Sequence, residues 1–160
     1  MFDKISFQLN GRSVTVTADR NTPFLYILRN SLDHIGTRFG CGDGLCGACI
    51  IIVDGHAVFA CDTPVWSMDG KNIETIEGLA TDKGLHPLQQ HILQEQAGQC
   101  GYCLSGIIMR AKALLDENPN PNRAEIAEAL ERNLCRCGAH ARILKAIERA
   151  ASTLAKKEGA

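Results

Sequence analysis

Eight cysteines fall into two sets of four with none left over, Cys41-x4-Cys46-x2-Cys49-x11-Cys61 and Cys100-x2-Cys103-x31-Cys135-x-Cys137. The first set opens with the C-x4-C-x2-C spacing, followed by a distant fourth cysteine, in which four thiolates hold a 2Fe-2S cluster. The second set supplies as many thiolates, so one covalent logic accounts for every sulfhydryl. The chemistry on offer is one-electron transfer by two clusters in series. Around the first ligands, Gly40, Gly42, Gly44 and Gly47 provide backbone without Cβ, partly at φ > 0, so that amide N–H groups can point at sulfur as an anion nest. Such N–H groups favour the more negative reduced cluster and raise its potential. A phosphate loop would need Gly-Lys-Ser/Thr after the glycines, and none follows.

Other uses of eight cysteines fit less well. A disulfide framework suits secreted chains under about 100 residues, whereas this one has 160 residues and no export signal is expected from Met1–Phe7, which lacks a basic segment followed by an apolar run. Zinc ribbons use C-x2-C pairs, but a C-x4-C-x2-C run and a C-x-C pair are not how their knuckles are built. The five histidines form no H-x3-H or H-E-x-x-H pair, and two full cysteine sets leave no need for Rieske-type ligation. No nucleophile stands with an attendant base. Alone, the chain is expected to catalyse nothing.

These ligands need elements to hold them. Residues 5–18 alternate apolar and polar about Asn10-Gly11, which predicts a hairpin. Thr22 as N-cap and Pro23 in the first turn open a helix to about Leu32, with Leu25, Ile27, Leu28 and Leu32 on its apolar face. Ile50–Val53 reads as a buried strand that Asp54-Gly55 turns into Ala57–Cys61, returning Cys61 to the loop, and Asn72–Ile76 supplies a further strand. Trp66 is expected in the core. Hairpin, helix, cluster loop, hairpin and last strand resemble, in that order, the β-grasp fold of plant-type ferredoxins. After Glu77 the period changes from two to 3.6, and four helices are expected: Pro87–Ala97, Leu104–Glu117, Arg123 to about Leu134, and Ala139–Ala155. Asn122 with Glu125 is a variant capping box for the third. The fold class is therefore α+β, an N-terminal β-grasp plant-type ferredoxin domain over residues 1–77 followed by an all-α four-helix domain over residues 78–160. The second cysteine set then lies at helix ends, with helix N-termini near Cys103 and Ala139 offsetting its charge. Arg136 between two ligands is read as a solvated side chain.

With 17 basic and 18 acidic residues mixed along the chain, the net charge is −1. No basic stripe suits nucleic acid, and no apolar run is long enough to cross a bilayer. A cytoplasmic location is expected, unless a partner carries the chain to a membrane or the periplasm.

Gly36-Thr37-Arg38-Phe39-Gly40-Cys41-Gly42, Cys46-Gly47-Ala48-Cys49, Gln99-Cys100-Gly101-Tyr102-Cys103 and Asn133-Leu134-Cys135-Arg136-Cys137-Gly138 resemble, in this order, the iron–sulfur subunit of the molybdenum hydroxylases, the xanthine oxidase family. The resemblance spans nearly the whole chain. His86-Pro87-Leu88-Gln89-Gln90 and Ala111–Asp116 resemble in particular the stand-alone small subunits of bacterial nicotinate and isoquinoline dehydrogenases; His140 stands where many members have Tyr. The resemblance implies a large partner subunit that binds a molybdopterin-type molybdenum cofactor and oxidises substrate, while this chain takes the electrons. It further implies that the helical-domain cluster lies next to the pterin, with Gln99 and Cys137 near it, and that the β-grasp cluster delivers electrons to a flavin subunit, a cytochrome or an external acceptor. An N-heteroaromatic substrate such as nicotinate or isoquinoline is expected. The alternatives are an iron–sulfur subunit of an aldehyde dehydrogenase or oxidase, a freely diffusing two-cluster ferredoxin, for which the near-neutral charge is unsuited, and a zinc-stabilised interaction module.

Overall fold

The computed structural model describes residues 2–158, with the side chains of Lys157 and Glu158 left aside. Strands β1 (Phe2–Leu9) and β2 (Arg12–Asp19) pair antiparallel in full register from Phe2 opposite Asp19 to Leu9 opposite Arg12. Asn10 and Gly11 sit at φ 49° and 78°, the paired left-handed turn whose twist matches that of the flanking strands. Ile5, Phe7, Leu9, Val16 and Ala18 point inward. The same device, Asp54 and Gly55 at φ 47° and 85°, joins β3 (Ile50–Val53) to β4 (His56–Phe59). Strand β5 (Asn72–Glu74) slots between the hairpins, parallel to β1 and antiparallel to β3, giving the mixed order β2-β1-β5-β3-β4. Two of the expected strands are shorter than their sequence pattern. The fourth ends at Phe59 because the chain turns there into a 3-10 turn at Ala60–Asp62 that carries Cys61, and the fifth ends at Glu74 because Thr75 leaves the ladder to meet the Asn10 side chain.

Helix α1 spans only Phe24–Tyr26 and widens into a π turn at Ile27–Ser31. Thr22 is not its N-cap. Its backbone is occupied instead, accepting from the Val65 N–H at 2.9 Å, while Pro23 takes the cap position in extended conformation. Phe24, Leu25, Ile27 and Leu28 are buried against the sheet, with Phe24 edge-on to Phe7 at 5.3 Å. Each such side chain contributes about 1.5–3 kcal/mol on burial. Trp66 is a correction too: Val65 and Met68 of its 3-10 turn fill the core, and Trp66 stays 48% exposed with the Arg20 guanidinium 5.8 Å from its ring.

Four helices follow, α2 (Pro87–Gln94), α3 (Leu104–Glu117), α4 (Arg123–Ala129) and α5 (His140–Glu158). Asn122 and Glu125 form the expected capping box; His86 and Gln89 form another that their sequence spacing alone did not signal. The third helix stops five residues short of its expected end, because Leu130, Asn133 and Cys135 turn inward and the Leu134 N–H leaves the helical ladder to bond the Cys46 carbonyl at 2.9 Å. No helix is long and apolar enough to cross a membrane among the described residues.

Strand β3 joins the two halves. All four of its residues are buried; Ile51 and Val53 face the sheet's own core with α1, whereas Ile50 and Ile52 face the helical core with Ile107, Met109 and Ile143. A strand covered on both faces has to be a continuous apolar run, as this one is. Helix α3 lies so close that a Cβ on Gly106 would collide with the Gly47 carbonyl and sit 3.0 Å from the Ala48 carbonyl carbon. Gly106→Ala should therefore destabilise the protein by about 1–3 kcal/mol through overpacking, although an exposed helical Gly→Ala exchange is worth roughly 1 kcal/mol in the opposite direction. Thermal unfolding of the cluster-loaded protein gives the sign.

Candidate metal centres

The first cysteine set lies on the loop between α1 and β3 and on the turn after β4. Five backbone donors point at its sulfurs. The N–H of Cys41 lies 3.3 Å from Cys46 Sγ; those of Asp43, Leu45 and Cys46 lie 3.4, 3.2 and 3.4 Å from Cys41 Sγ; and that of Gly44 lies 3.3 Å from Cys61 Sγ. The expected nest is thus present. Gly42, Gly44 and Gly47 take φ of 83°, 64° and 73°, while Gly40 serves by close approach, since a Cβ there would stand 2.5 Å from Cys46 Sγ. Burial raises the Cys41 thiol, but the N–H groups of Asp43, Leu45 and Cys46 overcome it and bring it down to about 6, the behaviour of a sulfur built to be a thiolate. Cys49 is pushed up to about 12, first by burial and then by Cys61 beside it. Protons on crowded thiols are what a metal core displaces.

The second set joins the α2–α3 and α4–α5 junctions. Cys100 and Cys137 Sγ are 3.5 Å apart, and Cys103 neighbours Cys135. Cys103 caps α3, and the N–H groups of Cys137, Gly138 and Ala139, leading into α5, lower the Cys135 thiol against its burial. Cys103 is raised to about 12 by burial and by Cys135. Gln99 donates from Nε2 to the Cys137 carbonyl at 3.2 Å, and both Gln99 and Cys100 are exposed. Arg136 is exposed, as expected. Tyr102 donates its hydroxyl to the Phe39 carbonyl at 2.6 Å, so a residue between two cysteines of one set holds the edge of the loop carrying the other.

In both sets the sulfurs neighbour one another in twos, Cys41 with Cys46 and Cys49 with Cys61, then Cys100 with Cys137 and Cys103 with Cys135. Two thiolates per iron is the donor pattern of a 2Fe-2S core. All eight thiols are free. The donor sets fit the two-iron core better than zinc or disulfides.

Three residues that sequence reasoning passed over tie the sites together. Asn133, 4% exposed, donates from Nδ2 to the Gly47 carbonyl at 3.2 Å. Arg132 donates from Nη2 to the Gly44 carbonyl, and Gly106 admits α3 to the same loop. Asn133 stood inside a motif, yet its role has no sequence signal because its partner lies in the other half of the chain.

Residues 7–79 match the family of the 2Fe-2S iron-sulfur cluster binding domain, and residues 75–148 that of the 2Fe-2S binding domain. Together with the mixed sheet and the helical set, they define a protein with two 2Fe-2S centres, one in each part. The chain is 51% identical over 152 residues to one of the subunits of nicotinate dehydrogenase from Pseudomonas putida, covering 95% of this chain and 97% of that one. It is 48% identical over 152 residues to the alpha chain of isoquinoline 1-oxidoreductase from Brevundimonas diminuta, covering 94% and 99%. The solved structure of quinoline 2-oxidoreductase from Pseudomonas putida 86 superposes with a TM-score of 0.92 at 34% identity, covering 98% of this chain and 97% of the matched one. The chain belongs to the iron–sulfur small subunits of the molybdenum hydroxylase, or xanthine oxidase, family. Its role is electron transfer, as the iron–sulfur subunit of an oxidoreductase.

Asn133→Ala should lower stability by about 1–3 kcal/mol, the cost of leaving the buried Gly47 carbonyl with only the longer Ile50 N–H contact at 3.4 Å. The drop should appear as an earlier loss of the visible cluster absorbance on heating, whereas an unchanged midpoint would show that the bond is idle.

Proposed function

We propose that Cys41, Cys46, Cys49 and Cys61 hold one 2Fe-2S cluster and that Cys100, Cys103, Cys135 and Cys137 hold the other. Each centre passes one electron at a time, so two in series divide a two-electron oxidation carried out on the large subunit. The observation that carries this assignment is the two-by-two neighbouring of the sulfurs in both sets under a canopy of backbone N–H donors. The helical centre is the inner one. Gln99 and Cys137 lie on the exposed side of that site, joined by their hydrogen bond, and present it to the pterin. The β-grasp centre is the outer one and hands electrons to a flavin subunit, a cytochrome or an external acceptor. Residues 1–77 form the first unit and residues 78–160 the second, in a protein that works in the cytoplasm. The substrate oxidised by the complex is an N-heteroaromatic compound such as nicotinate, a reading supported by the similarity to the nicotinate and isoquinoline enzymes.

Anaerobically purified protein should contain about four iron and about four labile sulfide per chain, and dithionite should produce two distinguishable EPR signals, one for each centre. Stoichiometric zinc without sulfide would refute the electron-transfer assignment. Cys103→Ala should remove one signal and about half the iron while sparing the other centre; Cys49→Ala should do the converse. Stripping the iron with a chelator should also unfold much of the chain, since binding to ligands preorganised only in the fold is folding free energy.

A further inference from the structure

Arg132 belongs to the helical part, yet its guanidinium reaches back to the loop of the first cysteine set. Its Nη2 donates to the Gly44 carbonyl. That carbonyl shares a peptide with the Leu45 N–H, which makes the shortest of the five N–H···S contacts in the loop, 3.2 Å to Cys41 Sγ. We propose that Arg132 is a potential-setting residue for the β-grasp centre, acting through the Gly44–Leu45 peptide. A charged donor on the carbonyl polarises the amide, and hydrogen bonds in a chain strengthen one another by roughly 10–30% each. The first link is charge-assisted and hence about twice as strong as a neutral one. Its effect reaches the sulfur as a more positive N–H, which favours the reduced, more negative cluster.

A second observation points the same way. The Arg132 guanidinium carbon lies 4.4 Å from the Phe59 ring centroid and that of Arg110 lies 5.5 Å from the same centroid. Among the described residues neither arginine has a carboxylate within ion-pair distance, and Asp62, which lies against Gly44, pairs with neither. The Arg110 Nε is buried without a partner. Two like charges held against one ring repel unless a negative group nearby balances them. Phe59 is two residues from Cys61 and pairs across the ladder with Ile50, the neighbour of Cys49. A four-thiolate cluster, whose charge grows on reduction, would be such a group, beside the Asp62 carboxylate that lies against Gly44. In this way a residue of the helical part raises the potential of the outer centre relative to the inner one, which biases electrons outward.

The inference rests on the assignment of Cys41, Cys46, Cys49 and Cys61 to one cluster, and one experiment separates the two. Arg132→Met and Arg132→Lys are made in the full chain within its complex, iron and sulfide are counted, and both centres are followed by EPR-monitored redox titration. Cys61→Ser, by changing the signal of one centre, identifies which signal belongs to the β-grasp site. Arg132→Met should shift the reduction equilibrium of that centre about tenfold toward the oxidised form, ~59 mV for a one-electron couple. Arg132→Lys should retain most of the wild-type value, and the other centre should stay in place. Because Arg132 is exposed, a purely long-range charge effect would fade in high salt, whereas the relayed bond should keep its shift. A protein with both clusters intact and no shift, or with both centres shifted alike, overturns the proposal. If Arg132→Met does not hold iron, Arg132→Gln is titrated instead, with a smaller shift of the same sign expected at the same centre. A wild-type count short of about two iron per cysteine set, or a Cys61→Ser variant with no altered signal, would instead defeat the ligand assignment.

Discussion

Four cysteine sulfurs crowded between one loop and the turn after β4 repel each other as thiolates, and much of the structure between Gly40 and Cys61 follows from how that charge is met. Side chains do little of this work. Backbone N–H groups do most of it, because a loop wound through left-handed residues turns successive amides inward. The glycines are the consequence, and so is the absence of a regular element there: an amide committed to sulfur cannot serve a helix or a sheet. The loop's frame therefore comes from the flanking hairpins, with their left-handed turns and doubly covered β3.

The second site meets the same charge differently. Its pairs sit where helices begin, so the N–H groups left open by helical geometry are already in place. That takes less loop but leaves the ligands nearer the surface; Cys100 is exposed whereas Cys49 and Cys61 are buried.

Much of this was legible in the cysteine spacing and the hydrophobic period. Both hairpins, the mixed sheet and the four helices follow from patterns local in sequence, and their turn residues Asn10-Gly11 and Asp54-Gly55 behave as their chemistry requires. What was not legible depends on partners distant in sequence. Thr22 has the right type for an N-cap but is held by residue 65; Trp66 has the right type for a core but lies beside Arg20 at the surface; the third helix has helix-forming residues up to Leu134 but gives up its last turn to Cys46 and Gly47. Local preference is weak enough, a few tenths of a kcal/mol per residue, for one buried tertiary hydrogen bond to override it.

That surrendered turn is the reason the two sites act as one device. Leu134, next to Cys135, bonds the carbonyl of Cys46, while Asn133 and Gly106 hold the following peptide against α3 and β3 feeds both cores. Two units joined only by a linker would vary in separation, and electron transfer between them would vary with it. Here packed backbone joins the two halves continuously, and Arg132, through which the proposed adjustment of potential acts, crosses that junction.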